Sequence, residues 1–238
     1  MTASFILQEL LSVANPEKAM FLQGFFKTGK GQYAEGDVFL GLVVPHTRSI
    51  AKANKQTPLS ELEILIQSEY HEARLCALLI LVEQFKKASE SERAAIYTFY
   101  LNHTSQINNW DLVDISCPYI VGSFLLGKDR SRLYELAESN HLWSQRIAVV
   151  STIAFIRKGE FMDTFALAEK LLIHEHDLMH KAVGWMLREV GKKDRASLTD
   201  FIERNASRMP RTALRYAIEH YPEAERKAFL SVKQIKNK

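Results

Sequence analysis

Asp114 follows Trp110 by four residues in the run Asn108-Asn109-Trp110-Asp111-Leu112-Val113-Asp114, so the two side chains share a face if the run is helical. A carboxylate beside an indole is a pairing suited to a partner that is cationic or that develops positive charge. Arg146, in Trp143-Ser144-Gln145-Arg146, and Trp185, in Lys181-Ala182-Val183-Gly184-Trp185, extend the set. Arginine grips phosphate with a planar fork and fixes register on a nucleic-acid backbone without reading sequence. Aromatics at helical spacing usually fill a core, and most cations only solvate a surface. The position of Trp110 and Trp185 at helix starts, beside Asp114 and Arg146, weighs toward use. The repeat-matched placing of Arg146, Lys181, Arg188, Arg211 and Arg215 does the same. Trp143 is expected to pack inside, and Asp111 to cap its helix, leaving Asp114 to project. Cations, aromatics and one carboxylate in a row suit something anionic and flat, and nucleic acid fits best.

The elements that carry these residues recur. Arg74 and Arg146 are 72 residues apart, two steps of 36, with the intermediate step falling near Trp110 and Asp111. Lys181 follows Arg146 by 35 residues, and Thr212, in Arg211-Thr212-Ala213-Leu214-Arg215-Tyr216-Ala217, lies 31 further on. A period of this size, one helix pair per step, marks an α-helical repeat array. The expected fold is all-α: a curved α-solenoid of five or six stacked helix pairs forming one domain over residues 1–238. Corresponding helices would place the chosen side chains on one concave face.

Apolar stripes at steps of three and four support this reading. Residues 70–88 carry Leu75, Leu78, Leu79, Val82 and Phe85; residues 115–126, 146–156, 165–173, 181–190 and 213–220 behave alike. Pro58 and Glu61 mark a helix start. The β-branched run at residues 38–44 reads as an extended connector into a helix at Pro45. Turn chemistry at residues 102–108, 127–129, 158–160, 191–194 and 209–210 separates successive pairs.

Composition narrows the classes. Of 238 residues, 47% are hydrophobic, enough for a core, and 25% are charged, enough for a water-facing surface. A net charge of +3 is modest, so a nucleic-acid site must come from clustering rather than bulk charge. Cys76 and Cys117 stand alone in apolar runs, which argues against a disulfide framework and for a reducing compartment. No secretory leader and no bilayer-long apolar stretch is present, and the chain reads as cytoplasmic, without a membrane partner.

Two motifs lead elsewhere. Gly24 to Lys30 spells G-x-x-x-x-G-K, but Gly31 stands where a phosphate loop needs Ser or Thr, and the preceding residues read as helix rather than strand. Lys27 and Lys30 are read either as phosphate-backbone contacts or as part of a plain solvated loop. His174, His176 and His180 hold metal-like spacing, yet their acidic neighbours fit an exposed loop, and no metal is assigned.

Trp110 and Asp114, Arg146 in Trp-Ser-Gln-Arg, and Trp185 in Lys-Ala-Val-Gly-Trp-Met-Leu-Arg-Glu together resemble the AlkD-type DNA alkylation repair glycosylases, over nearly the whole chain from about Asn15 to about Tyr216. The resemblance implies a HEAT-like repeat fold that removes cationic N3- and N7-alkylated purines from duplex DNA without flipping the base into a pocket. Residues 25–37 are longer here than in the family's best-known member. In the implied chemistry Asp114 stabilises the oxocarbenium-like sugar and can orient a water. Trp110 and Trp185 flank the cationic nucleotide, each contact contributing about 0.5–2 kcal/mol. Arg146 holds a phosphate, with Lys181, Arg188, Arg211 and Arg215 as further DNA contacts. No cofactor or obligate protein partner is implied, and a monomer is expected. The runner-up is a non-catalytic module for damaged or branched DNA; a protein–protein scaffold ranks last, since it would not need Asp114 among aromatics and cations.

Overall fold

A computed structural model describes residues 1–235, and these are all-helical apart from one isolated bridge, Val38 with Tyr70. The chain divides into two compact units, Met1–Ile120 and a second from Val121 onward. The first holds α1 (Ala3–Ser12), α2 (Pro16–Phe25), α3 (Val44–Ala53), α4 (Leu59–Ile66), α5 (His71–Phe85), α6 (Glu90–Asn102) and α7 (Trp110–Asp114). The second holds α8 (Ser131–Glu138), α9 (Leu142–Ser151), α10 (Ile153–Ile156), α11 (Met162–Leu171), α12 (Asp177–Lys193), α13 (Arg195–Asn205), α14 (Arg211–Ala217) and α15 (Glu223–Ser231).

The first unit is built around α5. Its sequence, His-Glu-Ala-Arg-Leu-Cys-Ala-Leu-Leu-Ile-Leu-Val-Glu-Gln-Phe, is apolar on nearly every side, and such a helix must be covered all round. Packing from α1, α3, α4, α6 and α7 covers it, and Leu78, Leu79, Ile80 and Leu81 are at most 1% exposed. Each such side chain contributes about 1.5–3 kcal/mol of burial. Local chemistry sets the ends. Thr2 caps α1, Asn15 caps α2, and Ser89 with Glu92 forms a capping box on α6. Before α3, residues 38–43 run extended, and Glu72 of α5 reaches under them to accept from the amides of Leu40, Gly41 and Leu42 at 2.8–3.0 Å. Gly41 has φ +86, and a Cβ there would lie 2.1 Å from the Asn15 carbonyl oxygen, so only glycine lets α2 approach this closely.

In the second unit α12 is the hub, packed by α9, α10, α11, α13 and α14. Gly184 permits the close approach of α14, since a Cβ would sit 2.5 Å from the Ala213 carbonyl oxygen. Gly127 and Gly159, at expected breaks, take positive φ.

Two expectations need correction. Residues 115–126 do not form a regular helix; they contain turns and a π-helical stretch, Pro118–Gly122. Pro118 supplies no amide, and the Ser116 hydroxyl donates back to the Leu112 carbonyl, so the i→i−4 ladder is interrupted there. Helix α12 runs through Gly191 to Lys193, and the break falls at Asp194, which ends α12 and caps α13.

Candidate active site

Helix α7 is five residues long, too short to hold its own shape in water. Its side chains divide sharply. Asp111, Leu112 and Val113 are buried, whereas Trp110 and Asp114, one turn apart on the same face, are half-buried. Asn109 is the N-cap: its Oδ1 accepts from the Trp110 amide at 2.8 Å. Asp111 was expected as the cap; it does accept from the Leu112 amide at 2.9 Å, but its other oxygen is committed to His71.

The Trp110 indole is braced by residues from the end of α2. Phe26 stacks on it, with centroids 5.3 Å apart and planes at 23°, and Phe25 meets it edge-on at 6.2 Å. Phe26 stacks in turn on Phe39, and Phe39 on the His71 ring at 4.4 Å. Phe25, Phe26, Phe39 and His71, with Leu22, Val43 and Asp111, line a cavity of about 310 Å³.

Behind the aromatics lies a buried polar cluster that spacing alone did not announce. His71 Nδ1 faces Asp37 Oδ2 at 3.1 Å and Nε2 faces Asp111 Oδ2 at 2.8 Å. Arg74 donates to Asp37 Oδ1 and Asn108 Oδ1, and to the carbonyls of Ser68 and Glu69. Burial pushes the His71 pKa down, but the charge and hydrogen bond of Asp111, then those of Asp37, outweigh it and raise it to about 9. Burial pushes Asp37 up, and the His71 bond with the Arg74 charge turns the balance, leaving it below the ordinary aspartate value. Cys76 is buried with its thiol pushed up to about 12, and Cys117 is buried too.

The remaining sequence-chosen residues are placed as follows. Arg146, on α9, is 5% exposed and donates from Nη1 to the Leu178 carbonyl at 2.6 Å. Lys181 pairs with Asp177 at 2.8 Å, and Asp177 also takes a bond from Thr212, so two repeat-matched positions meet on one carboxylate and lower its pKa. Trp185 is half-buried on α12, with Nε1 donating to Glu189 Oε1 at 3.2 Å. Arg188 bonds Glu219, Arg211 donates to the Val232 carbonyl at 2.7 Å, and Arg215 is exposed. Lys27 and Lys30 are exposed on the turn after α2, where Lys27 takes a left-handed φ of 58°. Trp143 is buried. Three clustered histidines of the second unit serve a helix end and packing. His176 caps α12, His180 bonds the His174 carbonyl, and His174 faces Gln145. Among the described residues no three His, Cys, Asp or Glu side chains are grouped to hold a metal, and no helix is long and apolar enough to cross a membrane.

The DNA alkylation repair enzyme family matches residues 6–221, and the chain belongs to that family. Membership places it in the repair of alkylated DNA, with DNA as its partner. A solved structure of an Enterococcus faecalis protein, named as a predicted DNA alkylation repair enzyme, shares the fold: TM-score 0.69 at 18% identity, over 88% of this chain and 97% of that one. No curated protein sequence matches the chain.

Proposed function

We propose that the protein is a DNA glycosylase that excises cationic N3- and N7-alkylated purines from duplex DNA. The observation that carries the reading is the division of α7: the two side chains it leaves partly open are the indole of Trp110 and the carboxylate of Asp114. An alkylated purine bearing positive charge is already a good leaving group. As its bond to C1′ breaks, the base takes the electron pair and departs neutral, and positive charge develops on the sugar. Asp114 stabilises that charge and orients a water; oxygen bonds to C1′ and the water's proton passes to solvent. Trp110, braced by Phe26 and Phe25, offers a fixed electron-rich face to the lesion. Arg146, Lys181, Arg188, Arg211, Arg215, Lys27 and Lys30 supply phosphate contacts that hold the duplex without reading its sequence.

The test is incubation of the full chain with duplex DNA carrying a single N7-methylguanine, followed by chromatography for free base. Release above an enzyme-free control is expected. Tight binding without release would replace this reading with that of a non-catalytic module for damaged DNA.

A further inference from the structure

Three separate stretches of the Met1–Ile120 unit meet on the ring of His71. Asp37 ends the turn that carries Lys27 and Lys30, His71 opens α5, and Asp111 belongs to α7. An ionised carboxylate only accepts, so a ring with a carboxylate on each nitrogen is satisfied only when both nitrogens carry protons. A neutral imidazole would aim a lone pair at one of them. Each aspartate is also fixed from its far side: Asp111 Oδ1 by the Leu112 amide, Asp37 Oδ1 by Arg74 and Asn108. The ring cannot slide, because the His71 amide donates to the Val38 carbonyl at 2.8 Å and Phe39 covers its face.

We propose that His71 is a positioning residue for excision: bonded through both ring nitrogens, it locks the first turn of α7, and with it Trp110 and Asp114, to the turn that carries Lys27 and Lys30. This rests on the role given above to Trp110 and Asp114. The physical need is plain, since a five-residue helix takes its placement from tertiary bonds. Asp111 is the neighbour of Trp110 and lies on the buried side of α7, so its bond to His71 sets how far the two half-buried side chains project. Phe26, stacked on Trp110 and 5.3 Å from the imidazole, provides a second route between the same two rings.

The charges that act on the ring are Asp37 from the turn and Asp111 from α7. On its own helix, Glu72 is turned to the amides of residues 40–42, and Arg74 sits on the far oxygen of Asp37. The extended segment presents Phe39. From the other helices packed on α5, Arg48 and Lys52 of α3 act on Glu83, Glu9 of α1 bonds Asn54, and Glu63 of α4 bonds His103. The device therefore titrates with His71: losing the second ring proton would release one of the two aspartates and loosen α7 against the turn.

Nuclear magnetic resonance on the labelled full chain tests this. The ring nitrogens of His71 and the indole N–H of Trp110, assigned with Trp110→Phe, are followed through pH in wild type and in Asp111→Asn. Both ring nitrogens should be protonated at neutral pH, with His71 titrating near 9 and the Trp110 resonance moving with the same midpoint. Asp111→Asn removes the charge and keeps the shape; it should lower both midpoints together by about one pH unit or more. Asp37→Asn makes the same comparison from the other nitrogen should the first variant fail to fold. Single-turnover release of N7-methylguanine, with short incubations and an enzyme-free control at each pH, should fall over the same range while duplex affinity holds. A Trp110 resonance that ignores the His71 titration would overturn the proposal, as would a release profile that stays put while the titration moves. Coupled resonances in a wild type that releases no base would count against the glycosylase reading and leave the coupling supported.

Discussion

In the Met1–Ile120 unit, Asp37, His71, Arg74 and Asp111 turn inward, none more than 7% exposed and all joined by hydrogen bonds. From Val121 onward, Arg188, Lys192 and Arg195 instead meet their carboxylates nearer water: Glu219 and Glu225, for instance, are 52% and 48% exposed. Taking charges out of water is costly and is repaid only by fixed geometry and full hydrogen bonding. Fixed geometry is also what an electrostatic catalytic group needs, because a preorganised charge need not reorganise as the reaction proceeds. Peripheral cations are screened and mobile, which suits contact with a phosphate backbone. On this contrast we propose that the surroundings of α7 serve chemistry and that exposed cations, Lys27 and Lys30 of the first unit included, serve grip.

The largest effect should come from breaking the inward cluster. Asp37→Ala leaves His71 and Arg74 buried without their shared partner, and loss of about 3–5 kcal/mol in urea unfolding is expected. Glu219→Ala, which breaks the Arg188 pair at the surface, should cost no more than about 1 kcal/mol. Equal costs would erase the contrast.

Next is Asp114→Asn, nearly isosteric and uncharged. Single-turnover release of N7-methylguanine should fall by roughly 10²–10³-fold with the circular dichroism spectrum unchanged. The lower end is favoured, because a cationic lesion leaves less barrier to remove. Equal rates from two folded proteins would take Asp114 out of the mechanism.

The cluster also predicts a pH window for stability. The folded-state pKa of His71 is raised to about 9, so its contribution is complete below about 6.5, declines above that and is gone once pH has passed about 9. Asp37 is lowered, so its contribution holds above about 3.8 and is lost as pH falls through its folded value. Urea midpoints should therefore fall between about pH 6.5 and 9, and less steeply in Asp111→Asn. A flat profile in wild type would mean that His71 is not held as a cation.

Much of the fold was legible because its signals are local. Pro58 and Pro45 stand at helix starts, the stripe from Leu75 to Phe85 lies inside α5, and Gly127 and Gly159 turn the chain where they were expected to. Trp110 and Asp114 share a face because four residues make about one turn, which any reader of the sequence can count. The cluster behind them was not legible. Asp37, His71 and Asp111 are separated by 34 and 40 residues, and nothing in their neighbours states that they meet. A histidine at the mouth of a helix that is apolar on nearly every side was the available signal, since burial of such a ring demands partners. The π-helical stretch was missed for a similar reason: apolar spacing through residues 115–126 is helix-like, but Pro118 withholds an amide.

The smallest effect is expected at Arg215, and it separates grip from architecture within the second unit. Arg215 is exposed on α14, so Arg215→Ala should leave stability within about 0.5 kcal/mol of wild type. It should weaken duplex binding by a similar few-fold factor across unrelated sequences and lower the slope of log affinity against log salt by roughly one. Arg146 is the control. It is 5% exposed and its Nη1 bonds the carbonyl of half-buried Leu178, so Arg146→Ala should cost affinity and, with the packing and hydrogen bond of a buried side chain removed, about 1–3 kcal/mol of stability as well. Fluorescence anisotropy with a labelled duplex across a salt series, paired with urea unfolding, reads both quantities on each variant. An unchanged salt slope in Arg215→Ala would remove it from the phosphate contacts. Loss of stability without loss of affinity in Arg146→Ala would make that residue a strut between α9 and α12, leaving the grip to cations nearer the surface.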